Sequence, residues 1–87
     1  MSPVPPCVFT VRLFGPAQER VGAGEVTIRE AEGSTCEDLL RAIGEQHPSL
    51  AFALPSARLA VNHALAPSGV RPRPQDEIAL IALVDGG

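Results

Sequence analysis

The 87-residue chain contains no lysine, no tryptophan and no tyrosine. Its seven basic residues are therefore all arginine, and they are spread along the chain instead of clustered. A net charge of −3, the absence of a basic cluster and the lack of tryptophan or tyrosine to stack on bases disfavour nucleic-acid binding. The absence of lysine also excludes Schiff-base chemistry, a lysine general base and internal sites for lysine-linked protein chains.

Cysteine is scarce, and no apolar run approaches the length of a membrane span. Cys7 and Cys36 are too few and too irregularly placed for a disulfide scaffold or a metal site. His47 and His63 are likewise too far apart in sequence to indicate one, and residues 1–6 lack the pattern of a signal peptide. We therefore expect one soluble, cytoplasmic domain without a metal or a membrane partner.

The first half of the chain predicts two strands and one helix after a flexible, proline-rich segment at residues 1–6. Apolar residues alternate with polar ones over residues 8–14, where Phe9, Val11 and Leu13 share one face, and again over residues 25–30. The intervening stretch reads as a short helical turn or a loop. These two runs predict a hairpin with a long connection.

Residues 34–48 carry the clearest helix pattern in the chain. Ser34 or Thr35 can cap the free amides of the first turn, and Glu37 and Asp38 place negative charge there. The apolar stripe is spaced as one helix face and consists of Cys36, Leu39, Leu40 and Ile43. Pro48 predicts that the helix ends near His47.

The second half predicts two further strands. Residues 49–54 indicate a short second helix or a packed loop, residues 58–62 a brief strand, and residues 63–75 no regular element. Residues 77–84 are apolar on both faces, which is typical of a central or otherwise covered strand. A single helix can cover only one face of such a sheet, so a partner surface is expected on the other.

This pattern resembles the ubiquitin-like β-grasp sulfur carriers of the MoaD/ThiS type, and most closely the small subunit of molybdopterin synthase. The resemblance covers Val8 to Gly87, and its specific motifs are "LAVNHAL" and "PQDEIALIALVDGG", in that order and spacing. It implies an α+β fold with a mixed sheet of four to five strands and one main helix on one face. The domain would span residues 7–84, followed by a flexible Gly-Gly tail at residues 85–87.

The resemblance implies that the functional group is the α-carboxylate of Gly87. An ionised carboxylate resists nucleophilic attack, so it would be adenylated with ATP by a partner enzyme and then converted to a thiocarboxylate. Gly86 and Asp85 would form the movable tail, since glycine has no Cβ to block a narrow channel. The carrier would supply no catalytic side chain and hold no permanent cofactor. Its implied partners are a MoaE-like large subunit of molybdopterin synthase and a MoeB-like, E1-like adenylating enzyme.

The candidate partner-binding side chains are Phe9, Leu59, Ile81 and Leu83. The alternative, that these residues belong to the core, stays open. Cys36 could be a helix-terminal thiol with a lowered pKa or a buried structural cysteine. Arg71 and Arg73 could contact an acidic partner or lie in a solvated loop.

Other functions also fit the Gly-Gly terminus. Sulfur carriers for thiamine synthesis or tRNA thiolation share it, and so do ubiquitin-like modifiers that are joined to lysines of other proteins. A plain β-grasp binding module with incidental glycines is a further alternative. The sequence departs from the molybdopterin type at two places. A Pro-Pro-Val-type stretch is replaced by Ala82-Leu83-Val84-Asp85, and a glycine is replaced by Gln75.

Overall fold

The computed structural model describes residues 5–82 and contains five strands, two α-helices and a 3₁₀ helix. The elements, in chain order, are β1 (Pro6–Arg12), α1 (Gly15–Val21), β2 (Glu25–Ala31), α2 (Cys36–Gln46), the 3₁₀ helix (Pro48–Ser56), β3 (Ala57–Val61), β4 (Ala64–Leu65) and β5 (Ile78–Ala82). Within residues 5–82 no helix combines the length and apolarity needed to cross a bilayer.

The strands form one mixed sheet in the order β2-β1-β5-β3-β4. β1 and β5 run parallel, with Val11 opposite Ile78, and every other neighbouring pair is antiparallel. The last strand thus lies in the centre of the sheet, as its two-sided apolar sequence predicts. With α2 packed on one face, this is the ubiquitin-like β-grasp architecture, and the predicted α+β fold is confirmed.

The hydrophobic core lies between α2 and one face of the sheet. Alternate residues of β1, β2, β3 and β5 point into it, because successive side chains of a strand lie on opposite faces. Its largest fully buried side chains are Phe9, Leu13, Ile28, Leu39, Ile43, Leu50, Leu59, Ile78 and Leu80. On α2 the buried face includes Ala42, whereas the predicted stripe residue Leu40 is only half-buried.

The start of α2 is fixed by reciprocal hydrogen bonds. Thr35 is the N-cap: its hydroxyl accepts from the Asp38 amide at 3.1 Å, and the Asp38 carboxylate accepts from the Thr35 amide at 3.0 Å. Hydrogen bonding to the Thr35 amide, and then to the Thr35 side chain, holds the pKa of the Asp38 carboxyl below its usual range, with further help from the charges of Arg41 and Arg71. Of the two predicted caps, the structure selects Thr35.

Two predictions about element boundaries are wrong. A two-residue strand, β4, lies inside the segment expected to have no regular element, and it pairs with β3 through a turn at Asn62 and His63. Both turn residues have positive φ, 52° and 74°, which is the twist that a two-residue hairpin needs. At the other end of the chain, Pro6 already pairs with Ala31 in β1, although residues 1–6 were expected to be flexible.

Candidate functional site

The expected chemical group lies outside the described residues, but the strand that leads to it is well defined. Gly87, Gly86, Asp85 and Leu83 all follow Ala82, the last residue of β5. β5 is held on one side by β1 and on the other by β3, where Ala82 pairs with Ala57. The last described residue of the chain, Ala82, thus lies at the end of the central strand.

Two recesses adjoin Ala82. One, of about 240 Å³, is lined by Phe14, Gly15, Pro16, Leu80, Ile81 and Ala82. The other, of about 200 Å³, is lined by Pro16, Ala17, Phe52, Ala53, Ser56 and Ala82. Pro16 and Ala82 belong to both, so the two recesses meet at the end of β5. We call the residues Phe14, Pro16, Phe52, Ile81 and Ala82 the exit surface.

The turn between β1 and α1 supplies Phe14 and Pro16 to the exit surface. Gly15 adopts φ +55°, a conformation that glycine enters without a Cβ penalty, and Pro16 lies in the first turn of α1, where its missing amide hydrogen costs nothing. Phe14 precedes them as the N-cap and is 54% exposed. An aromatic side chain left this exposed beside the end of β5 is suited to burial against another protein.

Two arginines flank the exit surface. The Arg20 guanidinium lies 4.4 Å from the centre of the Phe52 ring, within cation–π range. Arg58 pairs with Ile81 in the sheet and donates from Nη2 to the Ala66 carbonyl at 3.5 Å. Within residues 5–82 neither guanidinium forms an ion pair with a carboxylate. The surface therefore combines apolar area with positive charge.

The structure contradicts two of the four side chains predicted to contact a partner. Phe9 and Leu59 are 0% and 1% exposed, because both point from the sheet towards α2 and complete the core. Ile81 is half-buried and belongs to the exit surface, whereas Leu83 lies outside the described residues.

Sequence reasoning missed Phe14 and Phe52, the two exposed aromatic residues of the surface. The signal for Phe14 was present in the alternation of β1. Because Phe9, Val11 and Leu13 face the core, the next residue falls on the opposite face. Phe52 had no comparable signal, since its exposure depends on how the 3₁₀ helix packs against α1.

The two motifs that carry the resemblance meet at the other end of β5. Asn62 donates from Nδ2 to Asp76 Oδ1 at 3.3 Å and accepts at Oδ1 from the Glu77 amide at 3.0 Å. The Asn62 amide donates to the Glu77 carbonyl at 2.7 Å. The Arg73 amide and the Asn62 side chain both donate to the Asp76 carboxylate, and these bonds lower its pKa. This network fixes the entry into β5.

The cysteines and histidines form no metal cluster within the described part of the chain. Cys36 is buried, and burial raises the pKa of its thiol, so the structural alternative is confirmed over the reactive one. The first free amides of α2 are also occupied, because Cys36 and Glu37 donate to the carbonyls of Val70 and Ser68. His47 bonds through Nε2 to the Thr27 carbonyl at 2.7 Å.

His63 is highly exposed and lies 3.4 Å from Glu77, which also pairs with Arg12 at 3.7 Å. The two arginines of the proline-rich loop are both exposed. Arg71 donates to the Gly33 carbonyl, which ties the loop to the start of α2. Arg73 holds Asp76 through its backbone amide. These contacts fit the second of the two predicted roles, in which Arg71 and Arg73 belong to a surface loop.

A family model and the similar solved structures agree on the kind of protein this chain resembles. The ThiS family model matches residues 11–87. The fold is similar to the crystal structure of SAMP1 from Haloferax volcanii, with a TM-score of 0.75 and 25% identity over 92% of this chain and 99% of that one. No curated protein matches the sequence significantly.

Two further solved structures carry names from molybdopterin chemistry. One is the complex of subunits 1 and 2 of the molybdopterin-converting factor of Helicobacter pylori, matched with a TM-score of 0.63 and 27% identity over 92% of this chain and 99% of that one. The other is a putative molybdopterin converting factor subunit 1 from Pyrococcus furiosus, with a TM-score of 0.74. Its 19% identity, over 90% of this chain and 99% of that one, supports the fold alone.

Proposed function

This chain belongs to the ThiS family of ubiquitin-like sulfur carriers, and we propose that it carries sulfur as a thiocarboxylate at Gly87 for molybdopterin synthesis. The observation that carries the proposal is the family match, which runs from β1 to residue 87 and so includes Gly86 and Gly87. The exit surface lies where the chain leaves β5 towards those glycines. In this proposal, residues 83–86 would join the docking surface to the reactive end at Gly87.

In the proposed chemistry the chain supplies only its carboxylate. A carboxylate oxygen of Gly87 attacks the α-phosphorus of ATP on a partner enzyme, and pyrophosphate leaves. Sulfide, supplied by a sulfur donor, then attacks the carbonyl carbon, the bond to AMP breaks, the sulfur proton passes to solvent and a thiocarboxylate remains. Activation is needed because the α-carboxyl group is ionised at neutral pH and resists attack.

The exit surface is the proposed docking site for the partners. Phe14 and Phe52 would be buried by a partner, while Arg20 and Arg58 favour acidic groups at the rim. Similarity to the Helicobacter pylori structure supports the molybdopterin role, because that structure is a complex of subunits 1 and 2 of a molybdopterin-converting factor. The expected partners are accordingly a MoaE-like large subunit and a MoeB-like adenylating enzyme.

Mass spectrometry of the protein purified from its host tests the sulfur chemistry. We expect the C-terminal peptide to show the mass increase of one oxygen-to-sulfur exchange, and deletion of Gly87 to abolish sulfur transfer. Gly69→Ala is the matched control, because Gly69 has open space around it and no positive φ. Sulfur transfer by the chain that lacks Gly87 would refute the proposal.

The pathway is tested separately in a strain that lacks this chain. Loss of molybdenum-enzyme activity without a thiamine requirement or loss of tRNA thiolation supports the molybdopterin role. A thiamine requirement or unthiolated tRNA in its place would assign the same carrier chemistry to another acceptor.

A second candidate function is protein modification, which the likeness to SAMP1, a small archaeal modifier protein, favours. In that case Gly87 would be joined to amines of other proteins. Peptide mapping of host proteins after cleavage on the C-terminal side of aspartate, and so after Asp85, would then show Gly-Gly remnants on lysines that disappear with Gly87, whereas a dedicated sulfur carrier leaves none.

A further inference from the structure

The surface of the domain carries positive charge without a single amine side chain. All seven basic residues lie within the described part of the chain, all are arginine, and all are exposed. A guanidinium stays protonated and does not attack acyl groups, whereas lysine is the residue to which activated carboxyl termini are joined. Every exposed cationic position of the domain is therefore chemically inert towards an activated carboxyl group.

Neither of the two thiols is fully exposed. Cys36 is 1% exposed at the start of α2, and burial keeps its thiol protonated. Cys7 is half-buried and packs against the core. Acyl transfer to a cysteine would in any case give a thioester that other thiols reverse.

Two arginines, Arg20 and Arg58, lie near the end of β5, and the proposed activated end follows that strand by five residues. Five residues follow Ala82, and an extended chain of that length spans at most about 18 Å. Arg20 stacks on Phe52, which lines the same recess as Ala82, and Arg58 neighbours Ile81. A lysine at either position would meet the carboxyl group at an effective concentration on the order of 1 mM.

We propose that this chain is a donor-only carrier, whose lysine-free, arginine-bearing surface offers its activated Gly87 no side-chain amine to acylate, on the chain itself or on another copy. The inference rests on the proposed activation of Gly87. The reaction avoided is the attack of an uncharged amine on the Gly87 carbonyl carbon, in which an amide bond forms, the bond to the leaving group breaks and the amine proton passes to solvent. Self-acylation of this kind would consume the carrier and block its further use.

The test uses the folded chain with its N-terminus acetylated and Gly87 activated chemically as an aryl thioester. The native chain is compared with Arg20→Lys and Arg73→Lys, which keep the charge. Arg73→Lys is the distant control. The Arg73 amide bonds to Asp76, which precedes Ala82 by six residues, so about 20 Å of extended chain separate Asp76 from Ala82. After treatment with free thiol to reverse thioesters, intact mass and peptide mapping count the remaining amide products.

We expect the native chain to give hydrolysis alone and Arg20→Lys to form an intramolecular amide. At roughly 0.1 mM protein, that product should exceed adducts between copies about tenfold, and Arg73→Lys should form less of it. Amide formation by the native chain at the rate of Arg20→Lys would overturn the inference, and so would an Arg20→Lys chain that forms no more amide than the native one. Chemical activation keeps this test independent of sulfur transfer, which can fail in the host without affecting its outcome.

Discussion

Replacing Asn62 is expected to destabilise the domain through two separable effects. Asn62→Ala removes the side-chain bonds to Asp76 and Glu77, and it places a β-carbon at φ 52°. The two bonds are solvent-exposed, so together they contribute about 1 kcal/mol. The left-handed conformation adds about 1 kcal/mol for alanine. The total is a loss of about 2 kcal/mol, or roughly 8–16 °C in Tm for a domain of this size.

Asn62→Gly separates the two effects, because glycine accepts positive φ but cannot form the side-chain bonds. Its expected loss is about 1 kcal/mol, or roughly 4–8 °C. Thermal unfolding monitored by circular dichroism measures both variants at pH 7. If Asn62→Gly matched the native Tm, the bonds to Asp76 and Glu77 would contribute nothing. If the two variants had equal Tm values, the argument from positive φ would be wrong.

Three further predictions follow from the exit surface and the carboxylate networks. Phe14→Ala is expected to weaken binding of a MoaE-like large subunit by about 2–3 kcal/mol, from burial of its exposed half at ~25 cal/mol per Å². Val8→Ala, equally exposed at the start of β1, is the calorimetric control, and equal losses for the two would argue against docking at the exit surface. Thr35→Ala should lower stability by about 1 kcal/mol, measured by urea unfolding, and an unchanged midpoint would contradict the capping role. Because Asp38 and Asp76 have lowered pKa values in the folded state, their contribution is present above about pH 4 and lost as the pH falls through the folded values. Tm measured from pH 7 to pH 2.5 should fall less steeply for Asp76→Asn than for the native chain.

Much of the fold could be predicted because its elements are specified locally. The alternation in β1 and β2 and the capped apolar stripe of α2 are properties of neighbouring residues, so they were visible in the sequence. The two-sided apolarity of the last strand correctly indicated a central position. β4 was missed because its two residues, both exposed, carry no periodic pattern and are strand only through their pairing with β3.

The candidate site was less predictable than the fold. A sequence pattern separates the two faces of a strand, but both faces of β5 are apolar, and nothing local says which is covered by α2. Phe9 in β1 and Leu59 in β3 were wrongly interpreted as partner-binding, because the apolar face of these strands was assigned to a partner, whereas α2 covers it and both side chains complete the core.

By itself, the sequence determined the strand periods, the helix and its cap, the lysine-free charge and the Gly-Gly end, because each depends on residue type and short-range spacing. Only the tertiary structure decided which apolar side chains stay in water. It placed Phe14, Phe52 and Ile81, which are far apart in the chain, around the end of β5. It also joined Asn62 to Asp76 across fourteen positions. Such contacts arise from packing between distant segments, and local residue preferences do not encode them.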